Sequence, residues 1–127
     1  AVPVDGAMEI LPYLYGKYRL CAASNGPYEQ QINRLQKADM LKYFEHCFVS
    51  ERMGVEKPAR GFFEKCFAVL PEILPEETMM IGDSLTADIA GGQQMGMKTC
   101  WYDREQTGRL QEADFTIQNL KLIKEIL

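Results

Sequence analysis

Apolar positions along the chain alternate between near-twofold runs and stretches of 3.6-residue period, the pattern of strands interleaved with helices. Ala7, Ile10, Leu11 and Leu14 form one helical stripe over residues 7–17, and Pro12 inside it predicts a late start or a kink. Arg19-Leu20-Cys21-Ala22-Ala23 predicts a first strand that ends in the turn signal Ser24-Asn25-Gly26. Pro27 is placed to open a helix over about 28–38, with Ile32 and Leu35 inward and Glu29, Gln30, Arg34 and Lys37 outward. Cys47-Phe48-Val49 predicts a second strand, with Ser50 placed to cap the turn after it. A loop holding Lys57 lies between Gly54 and Pro58, and Phe62, Phe63, Cys66, Phe67 and Leu70 give a buried face to a helix over 60–70.

The second half repeats the scheme. Thr78-Met79-Met80-Ile81 predicts a third strand running into Gly82-Asp83-Ser84, followed by a helix over about 86–95 that Gly91 and Gly92 weaken. Lys98–Tyr102 predicts a fourth strand, Phe115-Thr116-Ile117 a short fifth, and residues 119–126 a terminal helix. Strand and helix in turn, with short connections, imply an α/β domain with a parallel sheet between helices. In such sheets chemistry gathers at the carboxyl ends of the strands. Three polar clusters fall there: Ser24-Asn25-Gly26, Lys57, and Asp83 with Asp88.

Composition narrows the class. The chain has 127 residues, 46% hydrophobic and 25% charged, enough apolar content for a packed core and too much for disorder. No apolar run approaches the ~20 residues of a membrane span. A net charge of −4 with scattered Lys and Arg argues against nucleic-acid or membrane partners. Cys21, Cys47, Cys66 and Cys100 form no CxxC pair and sit among apolar neighbours, which reads as buried free thiols in a reducing compartment. With no charged segment leading into an apolar one at the start, the expected location is cytoplasmic.

Asp83 and Asp88 offer hard oxygen ligands suited to Mg²⁺, which takes carboxylates together with water and substrate phosphate. The same residues equally suit a helix N-terminus as cap and dipole partners. Ser24, with the Asn25 and Gly26 amides, has the donors to hold an anion, or forms an ordinary turn before a helix. Lys57 alone reads as a solvated lysine. An anion cradle, a cation and an acid pair together form a set for handling phosphate. His46 reads as a loop histidine and Trp101 as packing, with Tyr102 and Asp103 near the rim of the expected site.

In order, Ser24-Asn25-Gly26, Glu56-Lys57-Pro58 and Met80-Ile81-Gly82-Asp83-Ser84 with Asp88-Ile89 resemble motifs II, III and IV of the haloacid dehalogenase-like (HAD) hydrolases. The run Gly82–Gly92, followed by Met95–Trp101, is similar to the pyrimidine 5′-nucleotidase-like branch. The resemblance covers about Val4 to Leu127. It implies a Rossmannoid three-layer parallel sheet and Mg²⁺-dependent hydrolysis of a small phosphorylated metabolite through an aspartyl-phosphate. It implies that Ser24, Asn25, Gly26 and Lys57 bind the phosphoryl group, with Ser24 and Lys57 taking part in catalysis. Asp83 and Asp88 would serve the metal, Asp88 through a water or by orienting Lys57, and Ser84 would support the loop. Dehalogenation, phosphonate cleavage or phosphoryl mutation are alternative reactions of the family, and a non-catalytic phosphate-binding domain is an alternative of another class.

The chain departs from the family at its start. The family's nucleophile is the first aspartate of an Asp-x-Asp motif on an N-terminal strand, and no Asp-x-Asp occurs here; Asp5-Gly6-Ala7 does not supply it. The cap that many members insert between motifs I and II is missing, and Lys57 follows Ser24 by only 33 positions, which leaves no room for a cap there. With Ala1 in place of Met, the expectation is the C-terminal part of a longer hydrolase, inactive alone; a short phosphate-binding protein is the other reading. In the family the motif I strand lies between those carrying motifs II and IV. Its lack predicts pairing with a missing N-terminal segment of the same protein, a strand-swapped copy, or a rearranged sheet.

Overall fold

Parallel pairing follows from the connections, since a crossover of about a dozen residues or more separates each strand from its parallel neighbour, helix-bearing in two pairs and irregular over residues 103–114 in the third. The computed structural model describes residues 6–127 and holds two parallel sheets, one of two strands and one of three. Asp5 lies outside the described residues. Contacts divide the chain into two units, one reaching to Gly54 and including Asn119–Leu127, the other Val55–Gln118.

The first unit contains α1 (Ala7–Leu14), β1 (Cys21–Ser24), α2 (Tyr28–Lys37), β2 (His46–Val49) and the single turn α3 (Ser50–Met53). β1 and β2 run in register from Cys21 opposite His46 to Ser24 opposite Val49. The four residues of the α1 stripe are all buried, and Leu35, Phe48, Val49 and Ile123 complete this unit's core. α1 begins at Ala7 and continues through Pro12, so the late start does not occur. An eight-residue helix loses only the bond Pro12 cannot donate, and its buried face outweighs that loss. The C-terminal segment Leu120–Glu125 is a 3₁₀ helix where an α-helix was expected. Asn119 caps it, its side chain accepting from Lys121 N–H at 3.0 Å, and Tyr13 donates its hydroxyl to the Leu127 carbonyl.

In the second unit, α4 (Arg60–Val69) precedes β3 (Met79–Gly82), and β4 (Lys98–Tyr102) and β5 (Phe115–Ile117) follow in the order β3-β4-β5. Gly82 lies opposite Trp101 and Tyr102 opposite Ile117. Phe62 and Phe63 of α4 are buried with Met80, Ile89, Met97, Cys100 and Trp101. The helix expected over 86–95 is instead a π-helical turn, Leu85–Ala90, leading into α5 (Gly91–Gln94). The Ser84 carbonyl accepts from both Asp88 N–H (3.0 Å) and Ile89 N–H (3.1 Å), which widens this turn. Gly91 is not merely a weak helix former here. A Cβ on it would stand 2.8 Å from the Phe63 ring, so glycine is what allows α5 to seat against α4.

None of the four cysteines is in a disulfide among the described residues. Cys100 is fully buried, and burial pushes its thiol up to about 11, while Cys21, Cys47 and Cys66 are only half-buried. Among the described residues no helix is long and apolar enough to cross a membrane.

Candidate functional site

Both ends of the β3–π-turn connection are governed by glycine and carboxylate chemistry. β3 ends at Gly82, and Asp83 emerges exposed at its carboxyl end. Ser84 then caps the π-turn, its hydroxyl accepting from Ala87 N–H at 3.0 Å. The π-turn swings Asp88 back toward the strand. Its Oδ2 accepts from Ser84 N–H at 3.2 Å, and the carboxyl group packs where a side chain at residue 82 would stand. A Cβ on Gly82 would fall on that carboxyl, so only glycine permits the return.

Lys57 comes from the loop between α3 and α4, where the Lys57–Pro58 peptide is cis. Its Nζ lies 2.5 Å from Asp88 Oδ1, and the two residues are 9% and 5% exposed. Lys57 is thus no solvated surface lysine. A cation and an anion this far out of water persist only when paired and hydrogen-bonded, and this pair meets both conditions. Lys57 and Ser84 thus each contact Asp88, with Asp83 adjoining Ser84 in the chain.

The two expected metal ligands differ in exposure, Asp83 being exposed and Asp88 buried. Both Asp88 oxygens have protein partners, Oδ1 accepting from Lys57 Nζ and Oδ2 from Ser84 N–H. Among the described residues no group of three or more His, Cys, Asp or Glu side chains gathers at metal-binding distance. Asp83 presents an exposed carboxylate, and the exposed Glu105 lines the same cleft. One or two carboxylates with waters and a substrate phosphate suffice for Mg²⁺, so this donor set fits that ion.

Asp83 opens onto a cleft of about 380 Å³ that is also lined by Trp101, Tyr102, Asp103, Arg104 and Thr107. The Trp101 indole N–H donates to the Asp83 carbonyl at 3.0 Å. Asp103, buried at the end of β4, accepts from Thr107 N–H (2.9 Å), the Thr107 hydroxyl (3.0 Å) and Gly108 N–H (2.9 Å). Burial pushes its carboxyl up, and these bonds together outweigh that and hold it below the usual carboxylate range. Sequence reading placed Tyr102 and Asp103 at the rim but took Trp101 for packing. The available signal was register, because a residue opposite Gly82 stands next to Asp83.

Ser24, Asn25 and Gly26 belong to the other unit, at the carboxyl end of β1. Gly26 N–H donates to Ser50 Oγ at 2.8 Å, so the serine expected to cap the turn after β2 instead holds the turn after β1. Tyr28 N–H is held likewise by Glu51 Oε1 at 2.9 Å. With the Gly26 amide committed to Ser50, the expectation of an anion cradle here rests on Ser24 and Asn25.

Residues 55–125 match the model of the HAD-hydrolase-like family. The chain belongs to that family. HAD-hydrolase YfnB of Bacillus subtilis is 36% identical over 119 residues, covering 94% of this chain and 51% of that protein. Its magnesium-bound crystal structure superposes with a TM-score of 0.92 over 96% of this chain and 54% of its own. Pyrimidine 5′-nucleotidase PynA of Streptococcus pneumoniae is 41% identical over 101 residues, 79% of this chain and 43% of that protein. A HAD phosphatase from Thermococcus onnurineus superposes with a TM-score of 0.86 at 28% identity, covering 94% of this chain and 55% of its own. The α/β architecture is thus a truncated HAD core, of the nucleotidase-like branch. The chain spans about half the length of the relatives it matches.

Proposed function

We propose that this chain is the C-terminal part of a Mg²⁺-dependent HAD phosphatase acting on a small phosphorylated metabolite, with a nucleoside monophosphate as the first substrate class to test. The observation that carries the reading is the buried Lys57–Asp88 pair beside an exposed Asp83 at the carboxyl end of β3. Lys57 neutralises charge on the phosphoryl oxygens, and Asp88 fixes the direction of its ammonium. Asp83 would hold Mg²⁺, whose positive charge offsets that of the transferring phosphoryl group. In the other unit, Ser24 and Asn25 carry donors suited to an oxyanion.

The nucleophile comes from a segment of the parent protein that carries Asp-x-Asp. One of its carboxylates attacks phosphorus while the ester P–O bond breaks and the departing alkoxide takes a proton from the second aspartic acid. Water then cleaves the aspartyl-phosphate. The reading draws support from the nucleotidase and phosphatase names of the similar proteins.

The test is hydrolysis of para-nitrophenyl phosphate and of nucleoside monophosphates with Mg²⁺, by the full-length parent and by this chain. Activity in the parent, lost in Asp83→Asn and in Lys57→Met and absent from the 127-residue chain, is the expected result. A parent inactive on every phosphomonoester would overturn it and leave the phosphate-binding module.

A further inference from the structure

The peptide group that joins Asp83 to Ser84 is held from both ends. Its carbonyl accepts the Trp101 indole N–H at 3.0 Å, and its N–H donates to Asp88 Oδ2 at 3.2 Å. Upstream, Gly82 is locked in register with β4. The backbone on both sides of Asp83 is therefore fixed, which leaves its carboxylate little more than its own side-chain torsions. Trp101 is 5% exposed, so its ring is held within the core of this unit. It is also the only tryptophan among the 127 residues. A buried indole needs a partner for its single donor, and here that partner is the residue bearing the exposed carboxylate, on the neighbouring strand.

We propose that Trp101 is a positioning residue: its indole N–H holds the Asp83 carbonyl and so sets the direction in which Asp83 presents its carboxylate to a divalent cation. This rests on the reading of Asp83 as the Mg²⁺ ligand. Groups that orient a ligand without touching the metal govern affinity through the geometry they impose. Packing alone would need only the ring. Orientation needs the N–H, so phenylalanine separates the two.

The experiment is Mg²⁺ titration of the full-length parent, read by calorimetry and by the ¹⁵N indole resonance of Trp101, identified by its loss in Trp101→Phe. The indole resonance is expected to move with Mg²⁺ occupancy and to stay still in Asp83→Asn. Trp101→Phe is expected to weaken Mg²⁺ binding about tenfold while the amide spectrum of residues away from the site keeps its dispersion. Mg²⁺ that binds while the wild-type indole resonance stays unmoved overturns the inference alone, as does equally tight binding by a folded Trp101→Phe. Should that variant not fold, the wild-type resonance decides. Wild-type protein that binds no Mg²⁺ overturns the functional reading, and the inference falls with it.

Discussion

Lys57 and Asp88 set the energetics of the site at the scale of single residues. Two buried opposite charges 2.5 Å apart give up hydration, and their attraction and hydrogen bonds compensate; removing one partner leaves the other charged and stranded. Lys57→Met is therefore expected to lower unfolding free energy by about 3 kcal/mol, read as a fall in the urea midpoint. Adding Asp88→Asn should recover more than half of that loss, because a neutral amide no longer carries the desolvation cost. Double and single variants of equal stability would show that the pair does not couple. Local pattern made a lysine before a proline most simply a surface residue; the resemblance to HAD hydrolases implied that Asp88 could orient Lys57, but not that the pair is buried. Burial of Lys57 depends on the return of Asp88, which in turn depends on the missing side chain at Gly82. Those residues are 31 and 6 positions from Asp88, and no local pattern joins all three.

At the scale of elements, the strands were the most readable part, because β-branched, aromatic and sulfur-bearing runs bounded by turn residues leave few alternatives. β4 and β5 lie where the apolar runs placed them, and β1 to β3 begin or end within two residues of expectation. The π-turn was not readable: its register is set by the Ser84 carbonyl accepting twice and by Asp88 folding back, both tertiary effects. The segment after β4 shows another such device, since Asp103 organises residues 103–108 through three bonds to one carboxylate. Its carboxyl is held below its ordinary value, so the stabilisation is present above the unfolded value of about 3.9. It is lost as pH falls through the folded one. Amide protection factors of Thr107 and Gly108 should stay level from pH 7 to about 5 and drop at lower pH. In Asp103→Asn that drop should vanish. A drop that persists in the variant would assign the effect to another group.

Across the whole molecule, the unusual feature is how little sheet each unit has. Parallel sheets occur as well-covered layers of several strands, and a two-stranded pair is marginal by itself. Here β1–β2 form one sheet and β3–β4–β5 another, in a chain about half as long as its relatives. In the family the strand bearing Asp-x-Asp sits between those of motifs II and IV, and the sequence on that ground predicts pairing with a missing segment, a strand-swapped copy or a rearranged sheet. We propose that a strand from the preceding part of the parent protein, or from a second copy of this chain, pairs with β1 or β3. Hydrogen exchange tests this on residues 21–24 and 79–82. Their amides should exchange at least tenfold more slowly when the preceding segment is supplied by co-expression than in the chain alone, a change of about 1.4 kcal/mol in local opening. Light scattering at rising concentration separates the two sources, because self-pairing slows the same amides only as dimer accumulates. Exchange that is equally slow in a dilute monomer and in the co-expressed complex would mean that the sheets close without an added strand, and that the parent's Asp-x-Asp segment reaches the phosphoryl group by some other route than strand pairing.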